Sequence, residues 1–239
     1  FVMGQDNAKL SKRNGEVSIA WYREEGFLPE AICNYLALLG WSPGDDRENI
    51  SMEELVQLFA VERVNSSPAR FDMKKLEAIN GDKIRALALE DFLARALPFL
   101  VQAGVIKGED KEVALVKRAL PLIQERIARM KEVVPMLRFL FVDSVEIESE
   151  SKVKMAEDSA QHVLERSLSV LEPLDTWSHE VIEAAMRAAL IEEMGLKPRV
   201  AFGPVRIAIT GSHISPPLFE SMELLGKESS LSRIRAAKL

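Results

Sequence analysis

Apolar positions recur at three- and four-residue spacing along most of this chain, with turn residues punctuating them. Pro29 opens a run from Ala31 to Leu39 that Gly40 closes in a C′ role. Ser51 with Glu54 forms a capping box ahead of Leu55, Leu58 and Phe59. Asp72 caps a helix through Met73, Leu76 and Ile79 that stops at Asn80-Gly81. Further helices are predicted over 89–103, 111–120, 121–140, 149–171, 177–194, 217–225 and 229–238. Gly195 and Pro198 close the helix ending at Met194. Only 200–210 resists, because Val200, Val205, Ile207 and Ile209 read as a strand, and the pattern leaves helix and strand both open. The predicted fold is mainly α, without internal repeats, and its boundaries fall near 104–110 and 142–149.

Composition narrows the class. A chain of 239 residues exceeds the ~100–150 of a common single domain. Its 47% hydrophobic and 28% charged residues are ordinary for a globular protein. A mean hydropathy of −0.01 and the lack of a long uncharged apolar run exclude a transmembrane helix, and no membrane partner is expected. Asp6, Lys9, Lys12 and Arg13 stand where a signal peptide needs its apolar core. Cys33 is the one cysteine, so no internal disulfide forms, and with three histidines no Cys/His zinc cage or other metal site is expected. A reducing, cytoplasmic setting fits. The start at Phe1 implies a processed or cloned piece of a longer protein.

Charge adds a subtler message. The net charge of −6 argues at face value against a nucleic-acid partner. The distribution is uneven, however. Lys117, Arg118, Arg126, Arg129, Lys131 and Arg138 face only Glu125 and Glu132 in their segment, whereas 142–180 holds ten acidic residues against three basic ones. A basic stripe attracts a polyanion over about 8 Å at physiological salt. From charge alone, solvated helix faces are the simpler reading.

Candidate chemistry is sparse. No GxSxG, HExxH, Walker loop or dinucleotide-binding glycine fingerprint is present. His162 and His179 lie on predicted helices, and His213 in a loop is the best placed of the three to touch a ligand. Cys33, inside an apolar run, reads as a core residue. Trp21, Tyr22, Phe27 and Trp41 have the chemistry to stack on bases, but aromatics beside apolar helices pack in cores. Between Gly4 and Gly15, Lys9 and Lys12 stand three apart, framed by glycines. Such a loop can place ammonium groups on phosphate oxygens, and a plain exposed basic loop is the alternative.

The stretch Lys9-Leu10-Ser11-Lys12-Arg13 resembles the second signature loop of class I aminoacyl-tRNA synthetases in its glutamyl form. Gly26-Phe27-Leu28-Pro29-Glu30-Ala31, the run Asn34 to Ser42, Phe71-Asp72 with Lys75-Leu76, and Asn80-Gly81 follow in the family's order. Arg206, Thr210-Gly211-Ser212, Pro216-Pro217-Leu218-Phe219-Glu220 and Leu225-Gly226-Lys227-Glu228 complete it. Together these blocks are similar to bacterial glutamyl-tRNA synthetases over essentially the whole chain. The departures are Ala78 and Lys83, where the family carries a tryptophan and a tyrosine.

The resemblance implies a C-terminal half beginning just before the signature loop, with the catalytic Rossmann domain absent. It divides the chain into 1–20 (signature loop and end of the catalytic region), 21–104 (stem contact), and 105–145 and 146–239 (two helical anticodon-binding domains). It favours helix for 200–210. Lys9 and Lys12 would be catalytic. Lys12, Ser11 and Arg13 would hold ATP, whose Mg2+ complex is bound mainly by the missing half. Arg126, Arg206, Ser215, Pro216 and Leu218 would contact tRNA-Glu. The full-length protein would be a monomeric glutamate-tRNA ligase using ATP and glutamate through a glutamyl-adenylate, and this piece alone would not aminoacylate. The alternatives are a helical interaction module built on a synthetase scaffold, and a class I lysyl relative.

Overall fold

The computed structural model describes residues 2–3, 18–65, 69–147 and 149–238. The segment 4–17, which carries Lys9, Ser11, Lys12 and Arg13, lies outside them. Among the described residues the protein is mainly α, with thirteen α-helices and one two-stranded sheet. It divides into two compact units, Phe1–Ala103 with Gln124–Val133, and Gly104–Ile123 with Val134–Leu239. No described helix is long and apolar enough to cross a membrane.

The first unit holds α1 (Ile19–Glu25), α2 (Pro29–Leu38), α3 (Met52–Leu58), α4 (Met73–Arg85) and α5 (Leu89–Gln102). Its sheet pairs β1 (Val2–Met3) in parallel with β2 (Ala69–Arg70), a contact too short to read from sequence. Pro29 occupies the first turn of α2, as expected. Gly40 follows the C-cap Leu39, the C′ position expected, and its N–H donates to Ala37 O at 3.3 Å, but without a positive φ; its carbonyl accepts from Asn65 N at 2.6 Å. The Ser51–Glu54 capping box forms in both directions. Asp72 caps α4 by accepting from the amides of Lys74 and Lys75. That helix does not stop at Asn80-Gly81 but runs on to Arg85, because Asn80 uses its side chain for packing contacts rather than for a turn. Tyr22, Phe27 and Trp41 are buried, in keeping with the core reading of the aromatics. Cys33 is exposed on α2, which corrects its core assignment: its side of the helix faces away from the buried Ala31, Asn34 and Tyr35.

The second unit is a bundle built from α6 (Asp110–Ala119), α7 (Val133–Leu137), α8 (Ser149–Met155), α9 (Asp158–Leu171), α10 (His179–Arg187), α11 (Pro198–Thr210), α12 (Leu218–Leu225) and α13 (Lys227–Ala236). Its core is formed by fully buried side chains such as Leu164, Met186, Val205, Ile209, Met222 and Ile234. The helix expected over 149–171 is two helices. Glu157 is extended between them, and Gln161 Nε2 closes the end of α8 by donating to Met155 O at 2.7 Å. The helix expected over 177–194 begins at His179 and widens into a π-turn over Ala188–Glu193. Residues 200–210 are helical, with Pro198 in the first turn and Gly211 (φ 81°) accepting the left-handed cap. A Cβ at Gly211 would sit 2.6 Å from Glu146 O, so only glycine fits there.

The predicted helix over 121–140 is the largest departure. Leu120–Leu122, Met130–Glu132 and Arg138–Phe141 are 3-10 turns, and only Val133–Leu137 is α-helical. Ile123, Ile127, Met130, Val133 and Leu137 are all buried, so the apolar period reports burial correctly. The backbone nevertheless leaves the helix, because Gln124–Val133 is bound into the first unit.

Candidate nucleic-acid interface

Two surfaces carry the residues singled out from sequence, one on each unit. On the first unit, Arg126 lies in the turn after Leu120–Leu122. Its guanidinium is exposed and has no ion-pair partner among the described residues. The segment holding it is fixed by polar contacts. Met130 N donates to Gly26 O at 2.9 Å. A Cβ on Gly26 would stand 2.5 Å from Lys131 N and 2.6 Å from Met130 N, so this approach requires glycine as well as its φ of 86°. Arg129 pairs with Glu25 at 3.0 Å and Glu132 at 3.2 Å, and Lys131 pairs with Glu25 at 2.6 Å. Two members of the basic stripe are therefore compensated inside the unit. Arg118, Arg126 and Arg138 are exposed and without ion pairs among the described residues.

Polar side chains outside the basic stripe brace the same unit. Asn34 is fully buried, donating to Glu48 O at 2.9 Å and accepting from Ile50 N at 2.8 Å. Lys83, a departure from the family pattern, donates Nζ to Ile50 O at 2.6 Å. Burial lowers its pKa, against the opposing pull of Glu30, Glu54, Asp82 and Glu53. Ala78, the other departure, is exposed.

On the second unit Arg206, Ser215, Pro216 and Leu218 come together. Arg206 projects from α11, and its Nη1 donates to Ser215 Oγ at 2.5 Å and Pro216 O at 2.7 Å. Ser215 Oγ in turn donates to Pro216 O at 3.0 Å. Thr210 Oγ1 accepts from Ser212 N at 3.4 Å, and its single O–H is within hydrogen-bond reach of the carbonyls of Arg206 at 2.9 Å and Ser212 at 3.0 Å, tightening the end of α11. Pro217 caps α12, and Leu218 is buried at its start. Beside this assembly runs an open groove of about 700 Å³ whose lining includes Glu157, Ala160, Phe202, Pro204 and Arg206. His213 also lines this groove. The groove joins apolar faces to the guanidinium groups of Arg199 and Arg206, the His213 imidazole and the Glu157 carboxylate, a chemistry able to stack on and hydrogen-bond a flat ring.

Three further residues, Trp177 and His179 for α12 and Arg233 for α13, anchor these helices. Trp177 Nε1 donates to Met222 O at 2.9 Å, and His179 donates its backbone amide to Glu223 at 2.7 Å. The Glu223 carboxylate against His179 Nδ1 at 2.6 Å raises the histidine pKa above its usual value, partly opposed by desolvation. Glu180 lies 3.2 Å from the other ring nitrogen. Arg233 is buried and donates to Ile209 O at 2.6 Å, Phe139 O at 2.9 Å and Val142 O at 2.5 Å.

Residues 91–238 match the family model described as anticodon binding domain, and residues 1–78 match that of the catalytic domain of class I tRNA synthetases (E and Q). A glutamate-tRNA ligase of Saccharopolyspora erythraea is 49% identical over 239 residues, covering 99% of this chain and 48% of that protein. One of a Nocardioides species is 50% identical over 241 residues, covering 99% and 49%. A crystal structure of a glutamate tRNA ligase from Elizabethkingia meningosepticum superposes with a TM-score of 0.80 at 26% identity, covering 99% of this chain and 50% of that one. The chain spans about half the length of the curated relatives it matches. With more than half of its residues inside the first match, and with similarity to glutamate-tRNA ligases along its length, the chain belongs to the anticodon-binding-domain family of these synthetases.

Proposed function

We propose that this chain is the tRNA-recognising part of a glutamate-tRNA ligase, which joins glutamate to tRNA-Glu through an ATP-derived glutamyl-adenylate. The observation that carries the reading is the Arg206–Ser215–Pro216 assembly at the edge of an open groove. Anticodon bases are single-stranded, so they can be splayed out, stacked and read on their edges. Ser215, the Pro216 backbone and Leu218 form a small, stiff receptor for one such base, with Arg206 setting the loop's orientation. Arg126 reads another base from the first unit, where its uncompensated guanidinium can form paired hydrogen bonds. Phosphates are held by exposed cations such as Arg118 and Arg138.

Lys9 and Lys12 act on the ATP phosphates during adenylate formation, with Ser11 and Arg13 beside them. This assignment rests on sequence, since the loop lies outside the described residues. ATP and glutamate are substrates of the longer protein, which works as a cytoplasmic monomer, and the 239-residue chain alone does not aminoacylate.

The test is binding of the chain to tRNA-Glu and to the same tRNA with a substituted anticodon. Arg206→Ala should remove about 1–3 kcal/mol of discrimination between them. Equal weakening toward both would mean that Arg206 serves only phosphate contacts.

A further inference from the structure

Arg126 stands in a frame built almost wholly by one helix. Upstream, Gln124 Nε2 donates to Ile84 O and Leu87 O, each at 2.9 Å, and approaches Arg85 O at 3.3 Å. Ile84 and Arg85 close α4 and Leu87 lies just beyond its C-cap Ala86; Ile84 O also accepts from Leu87 N at 3.1 Å. Downstream, Asn80 of the same helix donates Nδ2 to Ala128 O at 2.5 Å, while its Oδ1 accepts from Leu28 N at 2.7 Å. Asn80 is fully buried, so neither of its bonds is exchanged with water. Glu132 closes the turn by accepting from Ala128 N at 3.0 Å, and Ile127, next to the arginine, is buried. The chain is thus tethered through the Gln124 side chain two residues before Arg126 and through the Ala128 backbone two residues after it, and the arginine side chain between them is left exposed.

We infer that Gln124 and Asn80 are positioning residues for base recognition: they fix the direction from which the Arg126 guanidinium meets an unstacked base. This rests on the reading of Arg126 as a base-contacting residue. Specific base pairing by arginine depends on the placement of a planar fork, and a turn that rotates freely would lose that selectivity while keeping its charge. Phosphate attraction, by contrast, tolerates such rotation. The two contributions therefore separate when the frame is loosened.

The experiment measures binding of the 239-residue chain to tRNA-Glu and to an anticodon-substituted tRNA-Glu, for the unaltered chain, Gln124→Leu, Gln124→Lys, Arg126→Ala and Gln124→Leu/Arg126→Ala. Arg126→Ala is expected to lower the cognate preference by about tenfold. Gln124→Leu should lower it by about fivefold or more, with affinity for the substituted tRNA kept within about twofold. Gln124→Lys restores a donor among the three carbonyls and should recover the preference. The double variant should lose no more preference than Arg126→Ala, since Gln124 acts through Arg126. If Gln124→Leu does not fold by circular dichroism, Gln124→Asn, whose shorter amide falls short of the carbonyls, carries the same test. Full preference in the Gln124 variants alongside its loss in Arg126→Ala would overturn the positioning role. Equal weakening toward both tRNAs would reduce Gln124 to a structural support and overturn it too. Full preference in Arg126→Ala would instead refute the base-contact reading, and the positioning role with it.

Discussion

Replacing Arg233 with methionine removes a charged donor from the interior of the second unit while keeping most of the side chain's bulk. Three carbonyls, from Ile209, Phe139 and Val142, lose their partner together. Hydrogen bonds from a charged donor contribute about 1.5–3 kcal/mol each, so three of them approach 4–5 kcal/mol at the low end. Against this stands the desolvation of the guanidinium, which lowers its pKa despite Asp143 nearby and is relieved by the substitution. The balance is a loss of about 2–4 kcal/mol. Because the chain has two compact units, a single unfolding curve would mix them, and amide hydrogen exchange resolves the unit concerned. Exchange in the buried turns of α11 and α13 should quicken by about thirty- to several-hundred-fold, with α4 in the first unit unchanged. Arg233→Lys, which keeps the charge but gathers fewer carbonyls, should fall between. A change below about fivefold, or an equal one in α4, would refute the reasoning.

Two other outcomes follow from the same structure and a third from the signature loop of the sequence. Gly26→Ala forces a side chain into a left-handed backbone against Met130 and Lys131, and should destabilise the first unit by about 2–4 kcal/mol, read by amide hydrogen exchange in α4 with α11 of the second unit unchanged. His179 should titrate above its unfolded value, so its pairing with Glu223 stabilises the second unit fully below about pH 6.5, as long as Glu223, held below the usual carboxylate range, stays ionised, and is lost as pH rises through the folded pKa. Glu223→Gln should bring the NMR titration of His179 back down, and an unaltered chain titrating at or below the free-imidazole value would contradict this. In the longer ligase, Lys12→Ala should lower kcat/KM for pyrophosphate exchange by about 100-fold, whereas a defect confined to tRNA affinity would exclude the phosphate role.

Local signals were the ones legible in the sequence. The Ser51–Glu54 box and the Asp72 cap are short-range hydrogen-bond patterns, and both form as read. The period over 121–140 marked the buried residues and still gave the wrong backbone, because periodicity cannot see Gly26 and Glu25 about a hundred positions away. Asn80-Gly81 reads as a turn by propensity, yet Asn80 sits mid-helix since its amide satisfies two distant backbone groups. Resemblance, rather than pattern, favoured helix at 200–210. Arg206, Ser215, Pro216 and Leu218 were found together in the fold, whereas Gln124 and Arg233 escaped notice because their partners are main-chain carbonyls, which carry no sequence signal.

The central claim is that the chain reads an anticodon, and the binding of the unaltered chain to two tRNAs across salt tests it most directly. Between about 50 and 200 mM salt, log affinity for tRNA-Glu and for its anticodon-substituted form should fall in parallel straight lines, since the phosphates are the same. The cognate line should lie about tenfold or more higher throughout, since base contacts are lost only in the other. Two coincident lines would show a surface that holds phosphates without reading bases, and would contradict the account.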